Sequence, residues 1–208
     1  MASTVSAPVK IAIYGSGKGT NAQAIIDHFR KQAEIEVALI VSNKPDAYIL
    51  RRATQSGVDS VLLATPEERS GEKQLQLLKN RGIDLVVLAG YIRKLPDAVL
   101  EAYQGRVLNI HPSLLPRFGG KGMYGRKVHE AVLAANETES GITIHRPNTE
   151  YDSGEIIFQQ PLQIQSEWTV EDLEFAVQQL EHLYYPKIIE AEARKLLGQP
   201  PNPDATQS

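Results

Sequence analysis

The sequence contains no cysteine among its 208 residues. This absence excludes disulfide bonds, thiolate nucleophiles and metal sites built on cysteine. It is also typical of proteins that work in a reducing compartment. We therefore expect a cytoplasmic protein whose chemistry relies on other side chains.

Long hydrophobic runs and a strong charge of one sign are missing as well. No apolar run approaches the roughly 20 residues that a membrane span needs, and segment 1–8 lacks the apolar centre of a secretory signal. The net charge is -3 with both signs interspersed, which leaves no extended basic surface for nucleic acid. We expect neither a membrane partner nor a nucleic-acid partner.

The length and composition are those of one ordinary globular domain. A chain of 208 residues with a hydrophobic share of 42% can bury a single large core. We therefore predict one domain over residues 1–208, with a disordered lead at about 1–8 and a disordered tail at about 199–208. Nothing in the composition decides the oligomeric state, and a homodimer is one option.

Short apolar runs alternate with amphipathic segments through the first half of the chain. The predicted strands are 9–14, 36–41, 60–63, 84–88 and 106–110, and the predicted helices are 22–31, 47–55 and 71–80. This alternation predicts a parallel sheet covered by helices on both faces. Ligands bind such sheets beyond the carboxyl ends of the strands, where the strand order reverses.

A glycine-rich segment, Gly15 to Asn21, lies between the first predicted strand and a helix. Such a turn points free backbone N–H groups and the positive end of the helix dipole at a phosphate. Thr20 and Asn21 are expected to cap the helix and add side-chain donors. The spacing matches neither a P-loop nor the dinucleotide fingerprint. The segment predicts a site for one phosphomonoester, with an ordinary tight turn as the alternative.

The segment 89–96 follows the fourth predicted strand and mixes apolar side chains with two cations, Arg93 and Lys94. An apolar slot bordered by cations suits an aromatic ligand that carries carboxylates. The alternative is a set of functionally neutral residues at the start of a helix. The parallel-sheet rule places this loop beside the glycine-rich segment and the end of the next strand.

Asn109 and His111 stand at the end of the fifth predicted strand, before a loop that two prolines stiffen. Because strand residues alternate, both side chains project to the same side. An amide N–H can hold the oxygen that becomes negative in a tetrahedral intermediate, and a neighbouring histidine can donate a proton near neutral pH. The pair therefore indicates acyl transfer. The alternative is a strand end whose polar residues satisfy loop backbone.

The last third of the chain adds further polar residues. The segment 117–125 contains four glycines and is predicted to be a flexible loop, and a helix at 126–135 carries His129. The segment 141–145 is predicted to be a half-buried strand, with Thr143 and His145 on one face. Asp152 lies in a turn, where it either caps its own backbone or orients His111 and favours its charged form.

The closing helix is predicted over 170–197. Thr169 is its expected N-cap, and Pro186 is expected to bend or restart it. A strand is predicted at 155–160 before it.

The string 109–116, Asn-Ile-His-Pro-Ser-Leu-Leu-Pro, resembles the signature of formyltransferases that use 10-formyltetrahydrofolate. Within that family, residues 9–197 look like the glycinamide ribonucleotide transformylases of purine synthesis. The stretches that carry this resemblance, besides 109–116, are 15–21, 41–44, 88–93, 151–154 and 181–186. It implies an α/β fold with a Rossmann-like, doubly wound, mostly parallel sheet and an antiparallel C-terminal extension.

The resemblance also implies roles for individual residues. Asn109, His111 and Asp152 would be the catalytic residues, with Thr143 and His145 as nearby support. The other implied contacts are Gly19, Thr20, Asn21 and Glu181 for the ribonucleotide, and Ile92, Arg93, Lys94, Leu95, Asn109 and the 148–152 loop for the folate. No metal is implied. Transfer of the formyl group from 10-formyltetrahydrofolate to glycinamide ribonucleotide would be direct.

The sequence departs from this family pattern in two places. Lys18 stands where a smaller or uncharged residue is usual, and the segment 118–125 replaces a shorter stretch. A further cation that contacts folate is expected between Pro66 and Lys73, but the resemblance does not specify which residue it is.

Other functions remain open at this point. A formyltetrahydrofolate hydrolase would use the same folate with water as acceptor, but those enzymes usually carry an additional N-terminal domain. Relatives that formylate methionyl-tRNA or a nucleotide sugar usually append a further domain. A non-catalytic sensor of a phosphate ligand would need the 15–21 segment and not the Asn109, His111 and Asp152 set.

Overall fold

The structure is a computed structural model and describes residues 7–199. The predicted lead and tail therefore lie almost entirely outside the described residues. The seven strands in this range are β1 Val9–Tyr14, β2 Ile35–Ser42, β3 Ser60–Leu62, β4 Leu85–Leu88, β5 Val107–His111, β6 Glu139–Pro147 and β7 Gly154–Gln163. The six helices are α1 Thr20–Phe29, α2 Tyr48–Ser56, α3 Gly71–Asn80, α4 Asp97–Ala102, α5 Arg126–Ala134 and α6 Val170–Leu196.

The strands form one sheet in the order β3-β2-β1-β4-β5-β6-β7. Strands β1 to β5 pair in parallel, β6 pairs antiparallel to β5, and β7 pairs antiparallel to β6. The strand order reverses at β1, which has β2 on one side and β4 on the other. The predicted doubly wound, mostly parallel sheet with an antiparallel C-terminal extension is confirmed.

Two hydrophobic cores lie on the two faces of the sheet, and β1 shows why. Its residues Ile11 and Ile13 enter the core beneath α1, α2, α5 and α6, whereas Ala12 and Tyr14 enter the core beneath α3 and α4. All four side chains are fully buried. A strand covered on both faces needs apolar residues at successive positions, which is the continuous pattern seen in the sequence.

The start of helix α1 differs from the prediction. It begins at Thr20, two residues earlier than expected, and its N-cap is Gly19 in a left-handed conformation with no side-chain cap. Thr20 and Asn21 are therefore not caps, because both lie inside the first helical turn. Their side chains are free to reach another element.

The C-terminal half contains one wrong prediction. Strand β6 is buried on both faces, so that Thr143 and His145 are as inaccessible as Ile142 and Ile144. The predicted strand forms, but it is not half-buried as expected, because α6 packs on β6 and Leu115 N in the loop after β5 donates to the Thr143 hydroxyl. Among the described residues no helix is both long and apolar enough to cross a membrane.

Helix α6 begins with the predicted cap. The Thr169 hydroxyl accepts from Asp172 N, and the Asp172 carboxylate accepts from Thr169 N, which is a complete capping box. The helix does not restart at Pro186 but continues through it for 27 residues. It packs against β5, β6 and β7 and against the helices α1 and α5.

Candidate active site

A cavity of about 530 Å³ opens at the carboxyl ends of β4 and β5. Asn21, the 90–95 loop, the end of β5, the 147–152 loop and the first half of α6 contribute to its wall. The three segments that the parallel-sheet rule brought together thus border one space. Asn109, His111 and Asp152 all line it.

Asn109 is oriented by His145, its direct neighbour across the β5–β6 pair. The Asn109 Nδ2 and His145 Nε2 atoms lie 3.0 Å apart. Burial lowers the pKa of His145, which favours the neutral ring whose Nε2 accepts from Nδ2. An amide nitrogen carries two hydrogens, so Asn109 keeps a second N–H for a ligand in the cavity.

His111 is 3% exposed and faces an oxygen acceptor at each ring nitrogen. Its Nδ1 lies 3.5 Å from Asp152 Oδ1, and its Nε2 donates to the Phe118 carbonyl at 2.9 Å. Phe118 has a positive φ of 56°, and Gly119 and Gly120 follow it. The glycine-rich segment 117–125 is thus in direct contact with the candidate acid.

Asp152 is held between two groups that stabilise its charge. It has a φ of 49°, and its Oδ2 accepts from Gly120 N at 2.9 Å. Burial raises the pKa of Asp152, but the His111 ring, the Gly120 N–H and His145 outweigh burial and bring the pKa below its usual value. A carboxylate at this position can orient His111 and accept a proton during a reaction.

Thr143 lies outside the cavity wall and contacts the loop after β5. Its hydroxyl donates to Ser113 O at 2.7 Å and accepts from Leu115 N at 2.9 Å and from the Gln159 amide at 2.8 Å. These contacts hold the residues directly after His111 in place. A supporting role for Thr143 stays a prediction.

Helix α6 binds the first turn of α1 at the other end of the cavity. Asn21 Nδ2 donates to Glu181 Oε2 at 2.9 Å, and Gln178 Nε2 donates to the Thr20 hydroxyl at 3.1 Å. Burial raises the pKa of Glu181 to about 7, and the Asn21 amide only partly offsets this. Asn21 and Glu181 line the cavity, whereas Gly19 and Thr20 lie beside it.

The 15–21 turn is tightly held. Gly19 has a φ of 69°, and a Cβ on it would lie 2.8 Å from the Ile49 Cα, so only glycine fits there. The Arg52 side chain donates to Lys18 O at 2.9 Å. The Lys18 side chain itself is 84% exposed and lies 4.0 Å from Glu174 at the rim.

Ile92, Arg93, Lys94 and Leu95 all line the opposite end of the cavity, together with Tyr91. A second cavity of about 460 Å³ adjoins this end and shares Tyr91, Arg93 and Lys94 with it. Arg69 also lines this second space. Three cations thus border the solvent side of an apolar slot, which is an arrangement suited to carboxylates.

Arg69 is the cation between Pro66 and Lys73 that lines this second cavity, and its contact with folate stays a prediction. It reaches this place because its guanidinium donates to Leu63 O at 3.1 Å, which folds the segment after β3 towards Arg93. The sequence held no local signal for that path.

Gln178 and His129 also line the cavity, and the sequence assigned them no role. Gln178 could have been found, because it precedes Glu181 by three positions and therefore shares its helix face. His129 is 3% exposed, and burial lowers its pKa. Its position in the cavity wall depends on how α5 packs, which the local sequence does not specify.

Among residues 7–199, no group of three or more histidine, aspartate and glutamate side chains is arranged to hold a metal ion.

Comparison with known proteins matches residues 9–189 to the formyl transferase family model. The chain is 36% identical over 188 residues to a chloroplastic phosphoribosylglycinamide formyltransferase of Arabidopsis thaliana, and 34% identical over 194 residues to the phosphoribosylglycinamide formyltransferase of Bacillus subtilis. These alignments cover 88% and 91% of this chain. The chain spans 64% of the length of the Arabidopsis relative and 60% of a similar one from Vigna unguiculata, but 95% of the Bacillus relative.

Solved structures agree with the sequence comparisons. The glycinamide ribonucleotide transformylase 1 of Geobacillus kaustophilus superposes with a TM-score of 0.81 at 35% identity, covering 92% of this chain and all of that one. The corresponding protein of Symbiobacterium toebii gives a TM-score of 0.82 at 34% identity over 90% of this chain and 89% of that one. By its sequence and by its fold, this chain belongs to the formyl transferase family.

Proposed function

We propose that this protein is a phosphoribosylglycinamide formyltransferase, which transfers the formyl group of 10-formyltetrahydrofolate to the amine of glycinamide ribonucleotide. The observation that carries the proposal is one continuous cavity with three chemically distinct regions. Asn109, His111 and Asp152 occupy its middle, Asn21 and Glu181 one end, and the 91–95 loop the other.

The two ends of the cavity suit the two substrates. The ribonucleotide phosphate would bind the backbone N–H groups of 19–21 at the start of α1, where the helix dipole favours an anion. Glu181 would accept hydrogen bonds from the ribose hydroxyls. The pterin would enter the apolar slot beside Ile92 and Leu95, and its glutamate carboxylates would face Arg69, Arg93 and Lys94.

The chemistry follows from the groups in the middle. The ribonucleotide amine attacks the formyl carbon, and the carbonyl oxygen becomes an oxyanion that accepts from the free Asn109 N–H and from His111. The new C–N bond forms, the bond from carbon to folate N10 breaks, and N10 takes up a proton. The attacking amine loses one proton, which Asp152 accepts directly or through water. The products are formylglycinamide ribonucleotide and tetrahydrofolate.

The Phe118 carbonyl accepts a hydrogen bond from His111 Nε2, the ring nitrogen that would donate to the formyl oxygen. His111 Nε2 donates to this carbonyl at 2.9 Å, so the formyl oxygen must replace it before the ring can stabilise an oxyanion. Gly119 and Gly120 give the chain the freedom to withdraw the carbonyl. We infer that segment 117–125 shifts when both substrates bind.

We propose that the enzyme acts in the cytoplasm on its two small substrates, without a nucleic-acid or membrane partner. A homodimer remains a prediction, which the molar mass in solution would test.

The test is an absorbance assay of folate deformylation with and without glycinamide ribonucleotide. Turnover that depends on the ribonucleotide supports the proposal. Equal turnover without it would identify a hydrolase that uses water. Ribonucleotide binding without any deformylation would instead identify a non-catalytic sensor.

A further inference from the structure

Ser16 connects the loops that bind the two proposed substrates, although it does not line the cavity. It is 4% exposed. Its hydroxyl donates to Asn43 Oδ1 at 2.5 Å and accepts from Ile92 N at 3.1 Å. Its backbone N–H donates to Gly90 O at 3.0 Å. Ile92 and Gly90 both belong to the 89–95 loop.

Ser16 is equally tied to the phosphate side. It directly precedes the turn 17–21, whose Gly17 carbonyl accepts from Ile49 N at 3.1 Å. Gly17 and Gly19 both contact Ile49, which holds the turn together as one unit on α2. Because Ser16 is bonded to this turn through the chain and to Ile92 N through its hydroxyl, a shift of the turn also moves the Ile92 backbone.

Asn43 keeps the hydroxyl in one orientation. It follows β2, is 9% exposed, and uses its Oδ1 to accept the Ser16 proton. With the proton committed to Asn43, the Ser16 lone pairs face Ile92 N. The stretch 41–44, which carried part of the family resemblance, thus orients the Ser16 hydroxyl through Asn43 and does not contact the proposed substrates itself.

We propose that Ser16 is a positioning residue that couples the ribonucleotide site to the folate site, so that a ligand at either site strengthens binding at the other. The inference rests on the proposed function of the two sites. Its physical basis is that neither loop can move alone without leaving a buried N–H or oxygen unsatisfied. Such coupling is reciprocal by thermodynamic linkage.

The experiment compares Ser16→Ala with the wild type and with Ser140→Ala as matched control. Ser140 is 2% exposed, and its hydroxyl has no hydrogen-bond partner among the described residues. The Kd of glycinamide ribonucleotide is measured by calorimetry with and without saturating tetrahydrofolate, a pair that cannot react. The ratio of the two Kd values is the coupling factor.

We expect a wild-type coupling factor of about fivefold or more. In Ser16→Ala it should fall below about twofold, with KM for the folate raised and kcat at saturation within about threefold of wild type, because Ser16 touches no reacting atom. Ser140→Ala should retain the wild-type factor. A wild-type factor of one, an unchanged factor in Ser16→Ala, or an equal loss in Ser140→Ala would overturn the proposal.

Two additions keep the test decisive. Should Ser16→Ala not fold, Asn43→Ala removes the partner of the same hydroxyl and is measured in the same way. Hydrogen exchange of the Ile92 amide needs no ligand, and we expect it to be faster in Ser16→Ala only. Exchange of the Ile92 amide at the wild-type rate in Ser16→Ala would overturn the Ser16 link even if acceptor-dependent turnover confirms the enzyme. Absent turnover would reject the proposed function alone.

Discussion

His111 and Asp152 form the pair on which the proposed chemistry depends most directly. His111→Ala removes the donor to the oxyanion, and Asp152→Asn replaces the carboxylate that faces Nδ1 at 3.5 Å. Each change should lower kcat by about a hundredfold or more, since positioned acid–base groups contribute at least that much. Initial rates at saturating substrates measure the effect. Near-normal rates in both variants would contradict the catalytic assignment.

Glu181 should make stability depend on pH in an unusual direction. Burial raises its pKa from 4.5 to about 7, so between these values the folded chain binds more protons than the unfolded chain. Its contribution to stability is therefore present below about pH 4.5 and is lost as the pH rises through about 7. Glu181→Gln should remove this loss and gain stability relative to wild type from about pH 5 to about pH 8.

Urea unfolding at several pH values measures that difference. Glutamine can still accept from the Asn21 amide, so the comparison isolates ionisation. Parallel stability curves for the wild type and Glu181→Gln would show that the carboxyl group is not desolvated in solution.

At the scale of elements, the turn before α1 combines ligand binding with tight packing. Gly19→Val would place a side chain 2.8 Å from the Ile49 Cα at a φ of 69°. We expect it to lower the free energy of unfolding by at least about 2 kcal/mol and to raise KM for the ribonucleotide. A Cβ on Gly17 meets nothing within 4 Å, so Gly17→Ala should leave stability nearly unchanged.

Urea denaturation and KM measurements for the two glycine variants separate packing from binding. If Gly19→Val is as stable as Gly17→Ala, the close contact with α2 is wrong. If Gly19→Val impairs folate binding and spares the ribonucleotide, the two substrates have been assigned to the wrong ends of the cavity.

At the scale of the whole molecule, α6 packs against the helices α1 and α5 and against the strands β5, β6 and β7. Glu190 in its second half is 6% exposed, and it accepts from Arg194 and lies 2.7 Å from His28 Nε2 on α1. Burial raises the pKa of Glu190, but His28, Arg194 and Gln32 outweigh it and lower the pKa. The ionised Glu190 carboxylate therefore stabilises the folded chain at pH values above the usual glutamate pKa, and this stabilisation is lost as the pH falls through its lowered pKa.

Glu190→Ala should cost about 2 kcal/mol of unfolding free energy at pH 7, because it leaves the Arg194 guanidinium and the His28 ring without their buried partner. Glu34→Ala is the control, since Glu34 also contacts Arg194 but is half exposed, and it should cost less than about 0.5 kcal/mol. Equal effects in chemical denaturation would show that burial of Glu190 contributes nothing.

Local chemistry explains which features could be predicted from the sequence. Continuous apolar runs predicted the parallel strands, and Thr169 predicted the start of α6. The alternation of strand residues predicted that Asn109 and His111 project to the same side, and both line the cavity. The ligand roles of these and the other site residues came from the family resemblance and stay predictions until they are measured.

The tertiary structure decided what depends on contacts between distant segments. The pairing of Asn109 with His145, the Phe118 carbonyl on His111 and the position of Arg69 each join residues whose proximity no local pattern encodes. The burial of both faces of β6 also depends on distant segments, because α6 and the loop after β5 cover this strand. The sequence by itself determined backbone conformation and the direction of side chains within each element, since these follow from local sterics and hydrogen bonding. Only the packed chain decided which partner each polar group meets, because that choice minimises unsatisfied groups over the entire molecule.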